Sequence, residues 1–293
     1  MERTHQIQQL YNMVCNAPRG ASIQLLDMPR HFLNDEMDNT VPHVHTFYEI
    51  IWFQADGGFH TVDFRRYDIV RNTLLFISPG QVHFFDNPMQ SRGVIIRFCT
   101  DTMSGADRTE DIFIKYNMFN TFDGEPLYTV SDATAEALDG IVGRMREETG
   151  HSDAFGHQDI LMAYLKIFII TVNRHSTQAM AHRLDEWRPS HRLFVMFRKM
   201  VEERMTSMHT VKEYAGKLNV STKTLSNSVI ECTGKTPLAF INGRMALEAK
   251  RLLRYSNMTG KEVAYHLGFD DPSYFVKFFK RETGFLPSEF KTD

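Results

Sequence analysis

The 293-residue sequence predicts an α+β protein in which an N-terminal β-barrel of the jelly-roll type and a helix pair precede an all-α C-terminal domain. We expect that second domain to hold two helix-turn-helix subdomains joined by a long helix. Three observations predict this architecture: short β-type runs up to Phe98, a helical period from Asp132 onward, and one helical unit that occurs twice between Thr210 and Phe290. The expected boundaries are 1–130 for the barrel, 131–173 for the helix pair, 174–190 for a linker and 191–293 for the C-terminal domain.

The barrel is predicted from short apolar runs that are rich in β-branched and aromatic residues. Turn residues such as Asp56-Gly57-Gly58 and Ser78-Pro79-Gly80 separate these runs, and no helical pattern lies between them. A succession of short strands of this kind is typical of a sandwich or a jelly-roll barrel. The expected strands are Ser22–Met28, Phe47–Phe53, Phe59–Phe64, Leu74–Ile77 and Gly93–Phe98.

Two amphipathic stretches predict the helix pair. The first carries an apolar stripe from Ala137 to Met145 and ends at Gly150, and the second carries a wider stripe from Ile160 to Val172. A helix that is apolar on more than one side needs two partners. One partner would be the barrel or the first helix, and the other is either the same chain or the same helix of a second subunit.

The C-terminal domain is predicted from a duplication. Each copy opens with the T-x-x-E pattern of a capping box, continues to a second N-cap at Ser221 or Asp271, and stops at Thr-Gly. Helix, short turn and helix in succession indicate a helix-turn-helix unit. After a shift of 49 positions, Thr210, Lys212, Glu213, Ala215 and Leu218 match Thr259, Lys261, Glu262, Ala264 and Leu267.

The stretch from Pro237 to Tyr255 is the expected connecting helix, about 28 Å long at ~1.5 Å per residue. This length is close to the ~34 Å between successive major-groove faces of DNA, so the second helix of each copy can enter its own groove. Base-reading side chains are expected on the N-terminal halves of these helices, at Thr222, Lys223, Ser226, Asn227, Pro272, Ser273, Val276 and Lys277. Contacts to phosphates are expected from Lys280, Arg281, Lys250 and Arg254.

The charge distribution supports this division of the chain. The formal net charge is −3, but residues 188–293 hold 18 Lys and Arg against 11 Asp and Glu, whereas residues 1–187 hold 15 against 25. A basic C-terminal part attracts phosphates and makes the affinity for DNA depend on salt. The acidic N-terminal part is expected to add little to that affinity.

The C-terminal residues Val263-Ala264-x-x-Leu267-Gly268-Phe269-x-Asp271-x-Ser273-Tyr274-Phe275, with Gly284-x-x-Pro287-x-x-Phe290 behind them, resemble the AraC/XylS transcription regulators. The resemblance implies promoter double-stranded DNA and RNA polymerase as partners of an activator. It also implies a homodimer formed through the helix pair and a separate regulatory domain that switches binding. The first copy departs from the family pattern at Asn227, where arginine is frequent, so the second copy is expected to be the more typical reader.

Two histidine-containing clusters lie in the predicted barrel. In a strand, His43, His45 and Glu49 share one parity and would point the same way, and His83 would join them from a neighbouring strand. Three imidazoles and a carboxylate suit a divalent metal. The clusters also resemble the two cupin motifs, H-x-H-x(3)-E and P-G-x-x-H-x(3)-N, so we expect a cupin-like barrel.

The regulatory domains of AraC-like proteins resemble cupins and often keep such residues without a metal. We therefore predict no cofactor and a pocket for a small organic effector, with a carbohydrate as one candidate. The expected pocket residues are His43, His45, Glu49, His83, Trp52, Phe85 and Arg97. A metal site formed by His43, His45, Glu49 and His83 is the alternative.

Together these patterns predict a ligand-responsive, sequence-specific DNA-binding regulator that is not an enzyme. Two alternatives stay open: a metal-dependent cupin enzyme fused to a DNA-binding domain, and a constitutive DNA binder whose barrel only dimerises. Three widely spaced cysteines, Cys15, Cys99 and Cys232, argue against a disulfide framework. With no signal pattern and no membrane-spanning run, the sequence predicts a cytoplasmic protein that does not bind membranes.

Overall fold

A computed structural model describes residues 23–30, 39–87, 89–99, 118–119, 126–175 and 189–292. Most of the predicted linker, residues 176–188, and most of the segment 100–125 lie outside these ranges. The described elements belong to two compact units, a barrel unit with all the described strands and two helices, and a helical unit with the remaining helices. Among the described residues, no helix combines the length and the apolar character that crossing a membrane requires.

Two antiparallel sheets form the barrel unit. A five-stranded sheet has the order β1-β7-β2-β5-β8, and a three-stranded sheet has the order β4-β3-β6. This arrangement confirms the predicted barrel of short strands. The strands are β1 Ile23–Met28, β2 Tyr48–Phe53, β3 Phe59–Val62, β4 Arg65–Asp68, β5 Thr73–Ile77, β6 His83–Phe85, β7 Gly93–Phe98 and β8 Leu127–Thr129.

The larger sheet is buried on both faces. On one face, Ile51 and Phe53 of β2 pack with residues of both sheets in a core between the sheets. On the other face, Ile50 and Trp52 pack under two helices, α1 (Asp132–Thr149) and α2 (His157–His175). Alternate residues of one strand therefore belong to two different cores, because successive side chains of a strand point to opposite faces.

Three of the strands, β4, β6 and β8, were not among the five expected ones, although His83 of β6 was expected on a strand next to His43 and His45. Strand β4 pairs with β3 after a turn in which Asp63 has a φ of 55°, and its sequence Arg-Arg-Tyr-Asp is too polar to show a buried face. Strand β8 is a three-residue edge strand that pairs with β5. Strands β4 and β8 depend on a pairing partner and not on their own apolar pattern.

The helical unit confirms the duplicated helix-turn-helix prediction. Its helices are α3 Pro189–Arg204, α4 Val211–Lys217, α5 Thr222–Thr233, α6 Pro237–Tyr255, α7 Gly260–His266, α8 Pro272–Thr283 and α9 Pro287–Thr292. Both predicted capping boxes form, at Thr210 and at Thr259, and glycines in the left-handed conformation end α5 and α8. The two copies thus begin and end with the same backbone devices.

Candidate DNA-reading and ligand-binding sites

The second helix of each copy, α5 or α8, is held by an apolar face that points into the helical unit. Leu225 and Val229 of α5 are fully buried, as are Phe275 and Phe279 of α8. Side-chain N-caps at Ser221 and Asp271 fix where the helices start. Because the buried face is fixed, the opposite face of each helix must be turned to solvent. We refer to α5 and α8 as the reading helices.

The structure exposes most of the predicted base readers. On α5, Lys223 and Asn227 are spaced one turn apart and both are exposed, and on α8 the same holds for Ser273 and Lys277. Thr222 and Val276 are exposed too, while Ser226 and Pro272 are half-buried. The predicted readers therefore occupy the outward faces, although their contacts with bases remain a prediction.

One exposed aromatic residue was missed. Tyr274, on the first turn of α8, leaves 61% of its surface exposed, which is high for a large aromatic side chain. Its ring lies 6.1 Å from that of Phe269, at the end of the preceding turn. The sequence did contain a signal for its exposure. Tyr274 stands between the predicted reader Ser273 and the core residue Phe275, so it lies at the border between the exposed and the buried face of α8.

The cations predicted for phosphate contact occupy different environments. Lys280 is exposed on α8. Lys250 and Arg254 of α6 are half-buried and lie over the ring of Phe290, with their charged groups 5.6 and 5.4 Å from its centroid. Burial lowers the pKa of the Lys250 ammonium. These two side chains thus hold α9 against α6 through cation–π contacts, and a role in phosphate binding is a prediction only.

The two copies touch each other near the turn of the second one. His209, just before α4, donates from Nε2 to the carbonyl oxygen of Leu267 at 3.1 Å and stacks on Phe269. A Cβ on Gly268 would lie 2.0 Å from the carbonyl oxygen of Thr206, so the chains approach closely here. This contact adds to the connecting helix α6 in fixing the reading helices relative to each other.

A second candidate site is buried inside the barrel unit. His45 Nε2 lies 3.1 Å and His83 Nε2 lies 3.8 Å from the same oxygen, Oε2 of Glu49. All three residues are at most 3% exposed. The 3.1 Å separation is not accompanied by hydrogen-bond geometry, so these three atoms have no hydrogen-bond partner among the described residues. We refer to His45, Glu49 and His83 as the buried triad.

Neighbouring side chains contact the triad through the polar atoms that do not converge. Arg97 donates from Nε to Glu49 Oε1 at 3.3 Å. His60 was not predicted as a site residue, and its Nε2 lies 3.2 Å from His83 Nδ1. Strand parity places His60 on the same inward face as the buried Val62, but it does not indicate the contact with His83. The ring of His45 stacks on Phe47 at a centroid distance of 4.0 Å.

Burial and the neighbouring charges set the protonation of this site. Burial lowers the pKa of His83 well below its ordinary value, that of His60 to about 3, and that of His43 below 6.5. Burial alone would raise the pKa of the Glu49 carboxyl, but the Arg97 guanidinium and His45 outweigh it and lower that pKa well below its usual range. Near neutral pH, the site therefore has a carboxylate facing neutral imidazoles of His43, His60 and His83.

Two further predicted pocket residues, Phe85 and His43, lie beside the residues of the buried triad or of its neighbour His60. Phe85 packs inside the barrel, with its ring centroid 4.4 Å from that of His60. His43 lies beside His83, with ring centroids 4.3 Å apart, but its Nδ1 donates to the Val41 carbonyl oxygen and it does not join the converging atoms of the triad. The parity argument required a strand from His43 to Glu49, but β2 begins only at Tyr48. Before it, the chain makes a single β-bridge, from His43 to His83, so His43 and His45 do not point the same way.

The placement of Trp52 corrects the prediction. Trp52 is fully buried on the opposite face of β2 from Glu49, under the helices, where its ring lies 6.1 Å from Phe168. It therefore belongs to the core between sheet and helices and not to the barrel interior. The prediction failed because β2 is apolar on both faces, so its sequence does not distinguish the interior of the barrel from the side that the helices cover.

Known proteins match this chain in the same order of domains. Residues 26–165 match the model of an AraC-like ligand binding domain, and residues 214–293 match that of a helix-turn-helix domain. The HTH-type transcriptional activator RhaS of Escherichia coli (strain K12 / DH10B) is 21% identical over 265 residues, which are 85% of this chain and 86% of that protein. RhaS of Enterobacter sp. (strain 638) is 23% identical over the same shares.

Among solved structures, ToxT from Vibrio cholerae O395 aligns with 14% identity and a TM-score of 0.41, over 92% of this chain and 97% of that one. The matches of the two domain models cover most of the barrel unit and most of the two helix-turn-helix copies, which are the two parts that the geometry separates. The chain thus belongs to the AraC family of transcription regulators, with an AraC-like ligand-binding domain followed by a DNA-binding helix-turn-helix domain.

Proposed function

We propose that this regulator binds a specific promoter sequence through α5 and α8 and that its barrel unit senses a small molecule. One observation carries the proposal: two capped helices in one basic unit bury their apolar faces and turn Lys223, Asn227, Ser273 and Lys277 outward. Helix-turn-helix proteins read the major groove with side chains in these positions.

The exposed side chains suit particular bases. The amide of Asn227 can make two hydrogen bonds to adenine, and the ammonium of Lys277 can reach N7 and O6 of guanine. Val276 is 38% exposed and can contact a thymine methyl group. Each good base contact contributes about 1–3 kcal/mol of discrimination against a wrong base. The two helices together would therefore define two short half-sites.

The experiment starts with selection of bound sequences from a random double-stranded library by the purified full chain. We expect Asn227→Ala to relax base choice in one half-site and Lys277→Ala in the other, by about 10-fold or more each. Lys166→Ala is the control, since it removes an exposed lysine from α2 in the barrel unit. Unchanged site choice in the double variant Asn227→Ala, Lys277→Ala would show that the reading helices are wrongly assigned.

The proposed sensing role is supported by the polar groups inside the barrel and by the match to a ligand-binding model over residues 26–165. A ligand changes DNA binding only if it binds the active and inactive states unequally. A thermal-shift screen of sugars and small acids identifies candidates. The effector must then change the affinity for the selected DNA site, and a compound that stabilises the chain without this change is not the effector.

We also propose that the regulator acts as a homodimer that influences RNA polymerase at the promoter. Ile160 and Ile167 of α2 are 40% and 48% exposed, which leaves apolar surface on the helix that was predicted to dimerise. Light scattering of the full chain tests this. Ile167→Glu should give monomers, whereas Lys166→Glu should leave the dimer intact. A wild-type chain that is monomeric on its DNA site would contradict the proposed dimer.

A further inference from the structure

We propose that the buried triad of His45, Glu49 and His83 is a binding site for one divalent transition-metal ion. The triad lies in the barrel interior, and the proposed DNA-binding function does not depend on it. Three of its side-chain atoms converge without a hydrogen-bond partner in the described part of the chain. His45 Nε2, His83 Nε2 and Glu49 Oε2 are buried, and the structure gives none of them a hydrogen bond to a described residue.

The separations of these atoms fit coordination. The candidate donor atoms of the three residues all lie within 4.8 Å of one another, and two of the distances are 3.1 and 3.8 Å. Donor atoms about 2.1 Å from one ion lie about 3.0–3.4 Å apart at tetrahedral or octahedral angles. The donor atoms of the triad are therefore close to the separations that one ion requires. Small movements of the side chains would complete the coordination geometry.

The donor types select the class of ion. Two imidazole nitrogens and one carboxylate oxygen suit Zn²⁺, Fe²⁺, Co²⁺ or Ni²⁺, and they suit Ca²⁺ or Mg²⁺ poorly because those ions prefer oxygen ligands only. Three protein ligands leave at least one coordination position for water or for an oxygen atom of an effector. The ion would therefore give the barrel a point at which small molecules with hydroxyl or carboxylate groups can bind.

The surroundings of the triad resemble those of a built metal site. Protein ligands to metals are commonly held by hydrogen bonds on their other polar atoms. Here His60 holds His83 through Nδ1, and Arg97 holds Glu49 through Oε1, so both residues present their remaining atoms to the same point.

The triad also connects the two sheets. Glu49 lies on β2 of the five-stranded sheet, and His83 lies on β6 of the three-stranded sheet. An ion held by both residues would link the sheets, and binding to the folded state alone would raise the unfolding temperature as the metal concentration rises. The site thus predicts a stability effect that can be measured without any variant.

The test is a Co²⁺ titration of the full, metal-stripped chain without a histidine tag, followed by visible absorption and by thermal unfolding. We expect about one equivalent of Co²⁺ with a ligand-field spectrum and a rise in unfolding temperature. Glu49→Gln keeps the size of the side chain and should weaken Co²⁺ binding at least ~100-fold, while His60→Phe should weaken it about 10-fold. His151→Ala, which removes an exposed imidazole from the same unit, should bind like wild type.

Binding far below one equivalent by the wild-type chain would overturn the proposal. So would equal affinity in wild type and Glu49→Gln, because the ion would then bind elsewhere. If Glu49→Gln does not unfold cooperatively, His45→Gln replaces it, and absence of a Co²⁺-dependent rise in the wild-type unfolding temperature still counts against the site. Lys277→Ala should keep full Co²⁺ binding, so failure of the metal site and failure of the DNA-reading assignment give separate results.

Discussion

At the residue scale, two glycines with nearly the same backbone conformation have different surroundings. Gly268, in the turn between α7 and α8, has a φ of 80°, and Gly284, at the end of α8, has a φ of 84°. A Cβ on Gly284 would meet no atom within 4 Å, whereas one on Gly268 would collide with the Thr206 carbonyl oxygen. Backbone conformation alone would give both substitutions the same cost, so any difference between them measures the close contact between the two helix-turn-helix copies.

Gly268→Ala is therefore predicted to destabilise the helical unit by at least ~3 kcal/mol, because backbone strain and a steric clash add. Gly284→Ala, the matched control, should cost about 1 kcal/mol, since only the left-handed backbone conformation is unfavourable. Urea unfolding of the two variants gives both free energies. Equal costs would show that the approach of Thr206 to Gly268 does not exist in solution.

The histidines of the barrel interior predict a dependence of stability on pH. The folded-state pKa values of His43, His60 and His83 are lowered, so between pH 6.5 and the lowered values the unfolded chain binds more protons. Their neutral forms therefore give full stability above about pH 6.5, and stability falls with decreasing pH by up to about 1.4 kcal/mol per pH unit for each histidine. Glu49 and Arg97 are the charged groups that face them.

Thermal unfolding of the metal-free chain between pH 7.5 and pH 5 measures this effect. His60→Phe removes one titrating group and should make the decline less steep, whereas His151→Ala, at an exposed position, should leave it unchanged. A wild-type unfolding temperature that does not change over this range would contradict the burial of neutral histidines.

Local signals at single residues were the most predictable part of the sequence. Thr210 and Thr259 form their capping boxes, and the glycines after Thr233 and Thr283 adopt the left-handed conformation, because these devices depend only on residues within one turn. His60 could not be assigned to the site in the same way. Its contact with His83 spans 23 positions and requires the pairing of β3 with β6, which no local pattern contains.

At the scale of elements, buried charges attach the connecting helix α6 to α3. Arg244 of α6 is 5% exposed and donates to Glu202 of α3 at 2.7 Å and to Glu248 at 3.0 Å. Arg251, which is 1% exposed, also contacts Glu248 at 3.3 Å. This network fixes the register of α6, and with it the spacing between the two copies.

Arg244→Met should destabilise the helical unit by about 3 kcal/mol, because it removes the hydrogen bonds of Arg244 to Glu202 and Glu248 and leaves the partly buried Glu248 with only the 3.3 Å contact to Arg251. Arg281→Met breaks an Arg–Glu contact on the exposed side of α8 and should cost less than about 1 kcal/mol. Chemical unfolding distinguishes the two variants. A loss for Arg244→Met that is no larger than that of the control would mean that the network contributes no more than an exposed ion pair.

The bounds of a helix or strand could be predicted where a single apolar pattern marks its buried face. The direction of its side chains could not be predicted where the element is buried on both faces. The helices α1 and α2 and the strand β7 lie close to their predicted bounds, since each carries a clear period. Strand β2 has apolar residues on both faces, so the sequence could not show that Trp52 faces the helices while Glu49 faces the barrel interior. Which face is the interior follows from how the sheets close, and that depends on the whole barrel unit.

At the scale of the whole molecule, general attraction to DNA and preference for one sequence are expected to come from different features of the C-terminal part. In the proposed function, the basic C-terminal part would attract any DNA, whereas the exposed faces of the reading helices would supply the sequence preference. Lys280 and Lys277 lie one turn apart on α8 and are both exposed, so they form a matched pair for separating the two effects.

Lys280→Ala should weaken binding to selected and random DNA by the same factor and reduce the slope of log K against log salt by about 1. Lys277→Ala should instead lower the ratio between selected and random DNA. Fluorescence titrations at several salt concentrations give both quantities. If Lys280→Ala changed that ratio as strongly as Lys277→Ala, Lys280 would be a base reader and not a phosphate contact.

The most direct test of the central claim is a chemical footprint of the wild-type chain on its selected DNA site. Two reading helices fixed by α6 predict two protected major-groove segments on one face of the DNA, separated by about 10 base pairs. Asn227→Ala should weaken protection in one segment and Lys277→Ala in the other. A single protected segment, or uniform protection without a preferred site, would contradict the account of two helix-turn-helix copies that read DNA together.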